Sequence, residues 1–186
     1  MNILICRWDI FVYPDILDTM KNEGHLCDVL DFSAIKMSDE DIASFSKVLE
    51  DKLCEKNSDF YIANLSADNS PLKNLSPLPL SEKTSDKETK YDAVFSVNFF
   101  SYIAEVCHRH NIRYICYNVD SPLLNMQHPS VNYKTNCIYT FDSSEAKHFN
   151  NNGTDTVHYL PLCTNTKRVQ ALIENSHHIL FLCLMF

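Results

Sequence analysis

The stretch Tyr91 to Pro122, YDAVFSVNFFSYIAEVCHRHNIRYICYNVDSP, restricts the fold more than any other part of the chain. Ala93 to Val97 and Ile112 to Tyr117 are short apolar runs without clean alternation, the pattern of strands buried on both faces. Between them Phe99, Ile103, Val106 and Cys107 recur at i, i+4, i+7 and i+8, with Glu105, His108 and Arg109 on the opposite side. That spacing predicts a helix, and Asn98 is of a type that caps a first turn. Strand, helix and strand in such close succession make a βαβ unit, whose strands run parallel and whose ligands sit beyond their carboxyl ends. Asn98 after the first strand, and Asp120 with Ser121 after the second, are therefore the first polar residues to consider.

The same rhythm extends to both sides. Asn2 to Cys6 reads as a strand ending at Arg7, Trp8 and Asp9; Pro14 to Glu23 reads as a helix closed by Gly24, and Leu26 to Phe32 as a second strand. Ser38 to Lys56 is the longest helical pattern, with Ser38 and Asp41 resembling a capping box and Ile42, Phe45, Val48, Leu49 and Leu53 on one face. Beyond the central unit, Leu123 to Thr135 reads as a loop or short helix, and Cys137 to Phe141 as a strand. A helix capped by Asp142 or Ser143 and a strand over Thr156 to Leu160 follow. The sum is an α/β, Rossmann-like, mostly parallel sheet flanked by helices. Its expected carboxyl-edge set is Arg7, Asp9, Asn98, Asp120, Ser121, Asp142, Ser143 and Asn165.

Two segments depart from this rhythm. After a short strand expected at Phe60 to Leu65, residues 66–90 are rich in Ser, Pro, Asp and Lys, as in a solvated insertion. Residues 169–186 form an atypical tail, read as the truncated start of a missing second domain. After His177 and His178 it ends on an apolar run, Ile179 to Phe186, too short to span a bilayer, which could be a strand of a sheet, an aggregation-prone end or, over 177–186, a contact for a protein partner.

Composition excludes several functions. The 2 glycines of the chain, Gly24 and Gly153, lie too far apart to write GxxxxGK[ST] and are too few for GxGxxG, so the familiar Gly-rich phosphate loops are absent. A net charge of -8 without a basic stripe argues against nucleic-acid binding. Arg7 and Asp9 interrupt the amino-terminal apolar run before a signal sequence could form, no run is long enough for a membrane span, and a cytoplasmic location is expected. The 8 cysteines contain no CxxC pair and read as buried thiols; the adjacent Cys107, His108 and His110 point in different directions on a helix, so no metal site is expected there.

The segments MNILICRWDIF, YDAVFSVNFF, EVCHRHNIRYI, VDSPLLN, CIYTFD and TVHYLPLCTN, in that order, resemble the amino-terminal domain that precedes the glycosyltransferase module of CgeB-like spore-maturation proteins and related bacterial glycosyltransferases. The resemblance covers residues 1–168 and is carried by order and wording, with the DSP and YLPL segments the most telling. It implies the acceptor-side lobe of a glycosyltransferase of the B type, which transfers sugar from a nucleotide-sugar donor once a second lobe completes the cleft. Donor and acceptor would be partners only of that completed enzyme, and no cofactor is implied.

The family supplies no catalytic residue that transfers by position. Asp120, Ser121 and Pro122 match its motif, whereas Tyr117, Asn118 and Val119 stand where the family is aromatic-rich, residues 57–90 look inserted, and family-like sequence ends near Arg168. Asp120 is thus assigned catalysis as acceptor-binding group or general base, against its alternative as a turn carboxylate; Arg7, Asp9, Asn98, Ser121 and Asn165 are assigned to substrate binding. Arg7 and Asp9 could instead form a mutual ion pair. A non-catalytic interaction module is the competing reading of the whole chain; a phosphoryl-accepting receiver is weaker, because the acidic pair after the first strand is missing.

Overall fold

A computed structural model describes residues 1–10, 12–33, 38–54 and 90–175. The strand expected at Phe60 to Leu65, the insertion 66–90 up to Lys90, and the tail 177–186 lie outside them. Among the described residues six strands, β1 (Asn2–Arg7), β2 (Leu26–Asp31), β3 (Ala93–Val97), β4 (Arg113–Asn118), β5 (Asn136–Thr140) and β6 (Val157–Tyr159), form one sheet in the order β2-β1-β3-β4-β5-β6. Every adjacent pair is parallel. With helices between the strands, this is the doubly wound, Rossmann-like arrangement that the βαβ pattern predicts.

Alternation along the strands divides the core into two layers. Ile3, Ile5, Phe95 and Val97 face α1 (Tyr13–Asn22), along with Tyr13. Leu4, Cys6, Val94, Tyr114, Cys116 and Ile138 face the other way, against α2 (Asp39–Leu53) and α3 (Ser101–Arg109). The apolar positions of α2 are set by its helical period, and Phe45, Leu49 and Leu53 are buried. Ser38 caps α2: its Oγ accepts the Asp41 N–H at 3.2 Å and donates to Asp41 Oδ2 at 2.7 Å. Gly24 closes α1 at φ 80°, a conformation that a side chain resists.

After β4 the chain makes two 3₁₀ turns, Leu124–Gln127 and Pro129–Asn132, rather than an α-helix. Pro129 starts the second turn, where its fixed φ suits the first position and its missing N–H costs nothing. α4 (Ser143–Asn151) joins β5 to β6, and α5 (Thr166–Asn175) follows β6. None of the helices among the described residues is long and apolar enough to cross a membrane.

Two local expectations are corrected. Asn98 does not cap α3: the cap position is Phe100, which makes no side-chain cap bond, while Asn98 is a left-handed residue at φ 63° and only 3% exposed. Nor does Arg7 pair with Asp9. Parallel register sets Arg7 beside Asp31, and the guanidinium lies 3.5 Å from that carboxylate and over the Tyr13 ring at 5.1 Å.

Candidate functional site

Strand polarity determines which polar groups meet. Because β3, β4 and β5 run in parallel and in register, the residues following them emerge along one rim. Asn98 spans the first gap: its Nδ2 donates to Asp120 Oδ2 at 2.6 Å, and its Oδ1 accepts the Val119 N–H at 2.9 Å. The left-handed backbone directs the short amide across the rim, a geometry that Asn tolerates better than most residues. Ser121 spans the second gap, donating from Oγ to Asp142 Oδ2 at 2.9 Å. The Ser121–Pro122 peptide is cis.

Asp142 has a second task. Its Oδ1 accepts the N–H groups of Ser144 at 2.8 Å and Glu145 at 3.3 Å, so it is the cap of α4, as its residue type and position suggested. The Ser121 hydroxyl, followed by these backbone donors, holds the Asp142 carboxyl below the usual carboxylate range. One consequence is that the amino terminus of α4 is occupied by the chain's own carboxylate and is not open to a phosphate. Beneath the rim, Thr140 Oγ1 donates to Glu145 Oε2 at 2.6 Å, completing a line of contacts across the ends of β3, β4 and β5.

The buried support of this rim is Tyr114. Its hydroxyl meets Ser96 Oγ at 2.6 Å and accepts the Phe100 N–H at 3.1 Å, and Ser96 in turn donates to the Asn98 carbonyl at 2.7 Å. Complete burial pushes the Tyr114 phenol well up, so it remains neutral and serves as a hydrogen-bonding strut.

A cavity of about 450 Å³ adjoins the rim between the first 3₁₀ turn and α4. Pro122, Leu123, Met126 and Phe149 form its apolar lining. Ser121, Gln127, Asp142, Ser144, Glu145 and His148 supply its polar groups. The size falls in the range of small-molecule sites, roughly 300–1,000 Å³. His148 Nε2 lies 3.2 Å from Asn152 Nδ2, and its ring packs edge-on to Phe149.

The strand order puts the topological switch between β1 and β3, where open sheets of this kind usually bind ligands. That crevice is bridged here. Trp8 Nε1 donates to the Val97 carbonyl at 2.7 Å, and its ring stands edge-on to Phe100 at 6.1 Å. The cavity lies further along the rim, at the ends of β4 and β5.

The expected site residues therefore separate into two groups. Asn98, Asp120, Ser121 and Asp142 are brought together, with Asp120 exposed to solvent. Arg7 is engaged by Asp31 and Tyr13, and Asp9 is exposed beyond β1. Asn165 belongs to another contact: its Nδ2 donates to Asp15 Oδ1 at 3.1 Å and its Oδ1 accepts the Arg168 N–H at 3.1 Å, so it caps α5 and ties it to α1. Arg168 reaches the other oxygen of Asp15 at 3.1 Å. Of residues 107–110, Cys107 is in the core and His108 stacks on Tyr133, whereas Arg109 and His110 both reach Glu50, His110 through Nε2 at 4.0 Å, with its Nδ1 3.7 Å from Cys54 Sγ.

Met126, Gln127, Glu145, His148 and Phe149 were not singled out from the sequence. A signal existed for three of them, because Glu145, His148 and Phe149 stand at i, i+3 and i+4 and must share one side of a helix. Comparison with family models, curated proteins and solved structures finds no match for the chain.

Proposed function

We propose that the chain is the acceptor-side lobe of a glycosyltransferase-like protein, with Asp120, Ser121 and Asn98 on the acceptor rim and Asp120 as the group nearest to catalysis. The observation that carries this reading is the chemistry of the rim. Carboxylates, an amide and hydroxyls converge beside a cavity with an apolar wall, which suits the hydroxyl groups and carbon-bound faces of a sugar. Among the described residues, no lysine or arginine lines the cavity, and the α4 amino terminus is taken by Asp142. A donor diphosphate needs such cations or a free helix amino terminus, so in this reading the donor is held by a companion lobe.

Asp120 already accepts one hydrogen bond from Asn98 and is exposed, which leaves lone pairs for an acceptor hydroxyl. Asn98 and Ser121 are positioning residues in this reading, since each fixes a neighbouring carboxylate. The test is calorimetric titration of the full chain with a nucleotide sugar, combined with a turnover assay. The reading expects no saturable diphosphate binding and no turnover by the chain alone; sugar transfer or hydrolysis at enzyme-like rates without a partner would overturn it.

A second reading, a non-catalytic interaction module, draws on the exposed apolar side chains Leu160, Leu162, Val169 and Ile173. Capture of a protein partner that is lost when those four are replaced by polar residues, together with no sugar binding at the rim, would favour it.

A further inference from the structure

The charge of the cavity is more specific than its place in the sheet requires. Two of its polar groups are carboxylates, Asp142 and Glu145, and among the described residues no lysine or arginine lines it. Asp142 is kept ionised by Ser121 and by the first-turn N–H groups of α4. Glu145 is fixed through Oε2 by Thr140, and among the described residues its Oε1 has no partner. Gln127 and Ser144 add neutral hydrogen-bonding groups, while Leu123 and Phe149 offer an apolar surface.

We infer that this cavity binds an amine-bearing polyol, an amino sugar in its ammonium form; the inference rests on the acceptor-lobe reading and names its substrate class. An ammonium group makes charge-assisted hydrogen bonds to carboxylates, stronger than those a hydroxyl makes. The sugar hydroxyls exchange bonds with Gln127 and Ser144, and the carbon-bound hydrogens of the ring lie on Leu123 and Phe149. A phosphorylated sugar meets two carboxylates and no free helix amino terminus, because the amides of Ser144 and Glu145 are already bonded to Asp142. The same cavity therefore selects for the cation and against the anion.

The test is a heteronuclear NMR titration of the full, isotope-labelled chain with D-glucosamine as its ammonium ion, D-glucose and glucose 6-phosphate. About 0.15 M salt screens the long-range pull of the net charge. Glucosamine is expected to shift the amides of residues 121–127 and 142–149 saturably and to bind about ten-fold more tightly than glucose. Glucose 6-phosphate is expected to leave those amides in place. Glu145→Gln retains an oxygen for Thr140 but removes a charge; its amine preference should fall to about three-fold or less, with a cooperative thermal unfolding transition retained.

Equal affinity for glucosamine and glucose at these residues would overturn the amine inference and leave the acceptor-lobe reading intact. Tighter binding of the phosphorylated sugar would also overturn the inference. Absence of shifts at the rim with all three ligands would overturn both.

Discussion

Replacing Asn98 tests the rim most stringently, because three separable effects meet in one side chain. Asn98→Ala removes the acceptor for the Val119 N–H, a part-buried donor, at a cost of about 1–2 kcal/mol. It also removes the bond to Asp120, which water can replace at an exposed carboxylate, so that loss is about 0.5–1 kcal/mol. A left-handed alanine adds about 1 kcal/mol of backbone strain. The expected total is about 3 kcal/mol, read from urea unfolding by linear extrapolation with an unchanged slope. Asn98→Gly loses both hydrogen bonds but not the backbone freedom, so it should be milder than the alanine variant by about 1 kcal/mol.

Asn98→Asp carries a pH signature. It preserves an acceptor for Val119 but brings a second carboxylate against Asp120. The pair titrates together, with its folded-state pKa raised above the unfolded value of about 4. The deficit relative to wild type is full at neutral pH and shrinks as pH falls through that raised value. An alanine variant costing less than about 1 kcal/mol, or alanine and glycine variants of equal stability, would refute the bridging role of Asn98.

Three further outcomes follow from the same geometry. Ser121→Ala removes the first cause of the depressed Asp142 carboxyl, so its titration, followed by carbon-detected NMR, should move up toward the ordinary range of about 4. In the wild type the stability due to that depression is present above the unfolded value and lost as pH falls through the lower, folded one, and Ser121→Ala should narrow that acid window. Tyr114→Phe leaves Ser96 and the Phe100 N–H short of a buried partner and should cost about 2 kcal/mol in urea unfolding; a cost near zero would mean that water reaches the strut. Trp8→Phe keeps the edge-on contact with Phe100 but loses the bond to the Val97 carbonyl, for an expected loss of about 1 kcal/mol by thermal unfolding.

The sheet was readable because its strands and helices carry different periods in the same short stretch. β3 occupies the residues predicted for it, and the ends of β4, β5 and β6 shift by a residue or so, as hydrogen-bond boundaries do. The Asp142 cap and the Ser38 cap were local signals and could be read directly. Asn98 was not so legible. A short amide serves either a helix cap or a left-handed turn, and only the position of Asp120 in three dimensions decides between them.

Partner choice was equally hidden for Arg7. Asp9 is two residues away in sequence, but Asp31 is its neighbour in the parallel register, and the register is set by the whole strand. The cavity was invisible for a related reason. Its two walls, residues 121–127 and 142–149, are brought together by the pairing of Asn118 with Thr140, and neither wall carries a motif by itself.

The most direct measurement is a crystal structure of the full chain grown with a saturating monosaccharide. The account predicts sugar density in the cavity bounded by Ser121, Asp142 and Phe149, with a hydroxyl or amine within hydrogen-bonding distance of Asp120, Asp142 or Glu145. Sugar density confined to the opposite edge of the sheet, near Cys54 and His110, would contradict it.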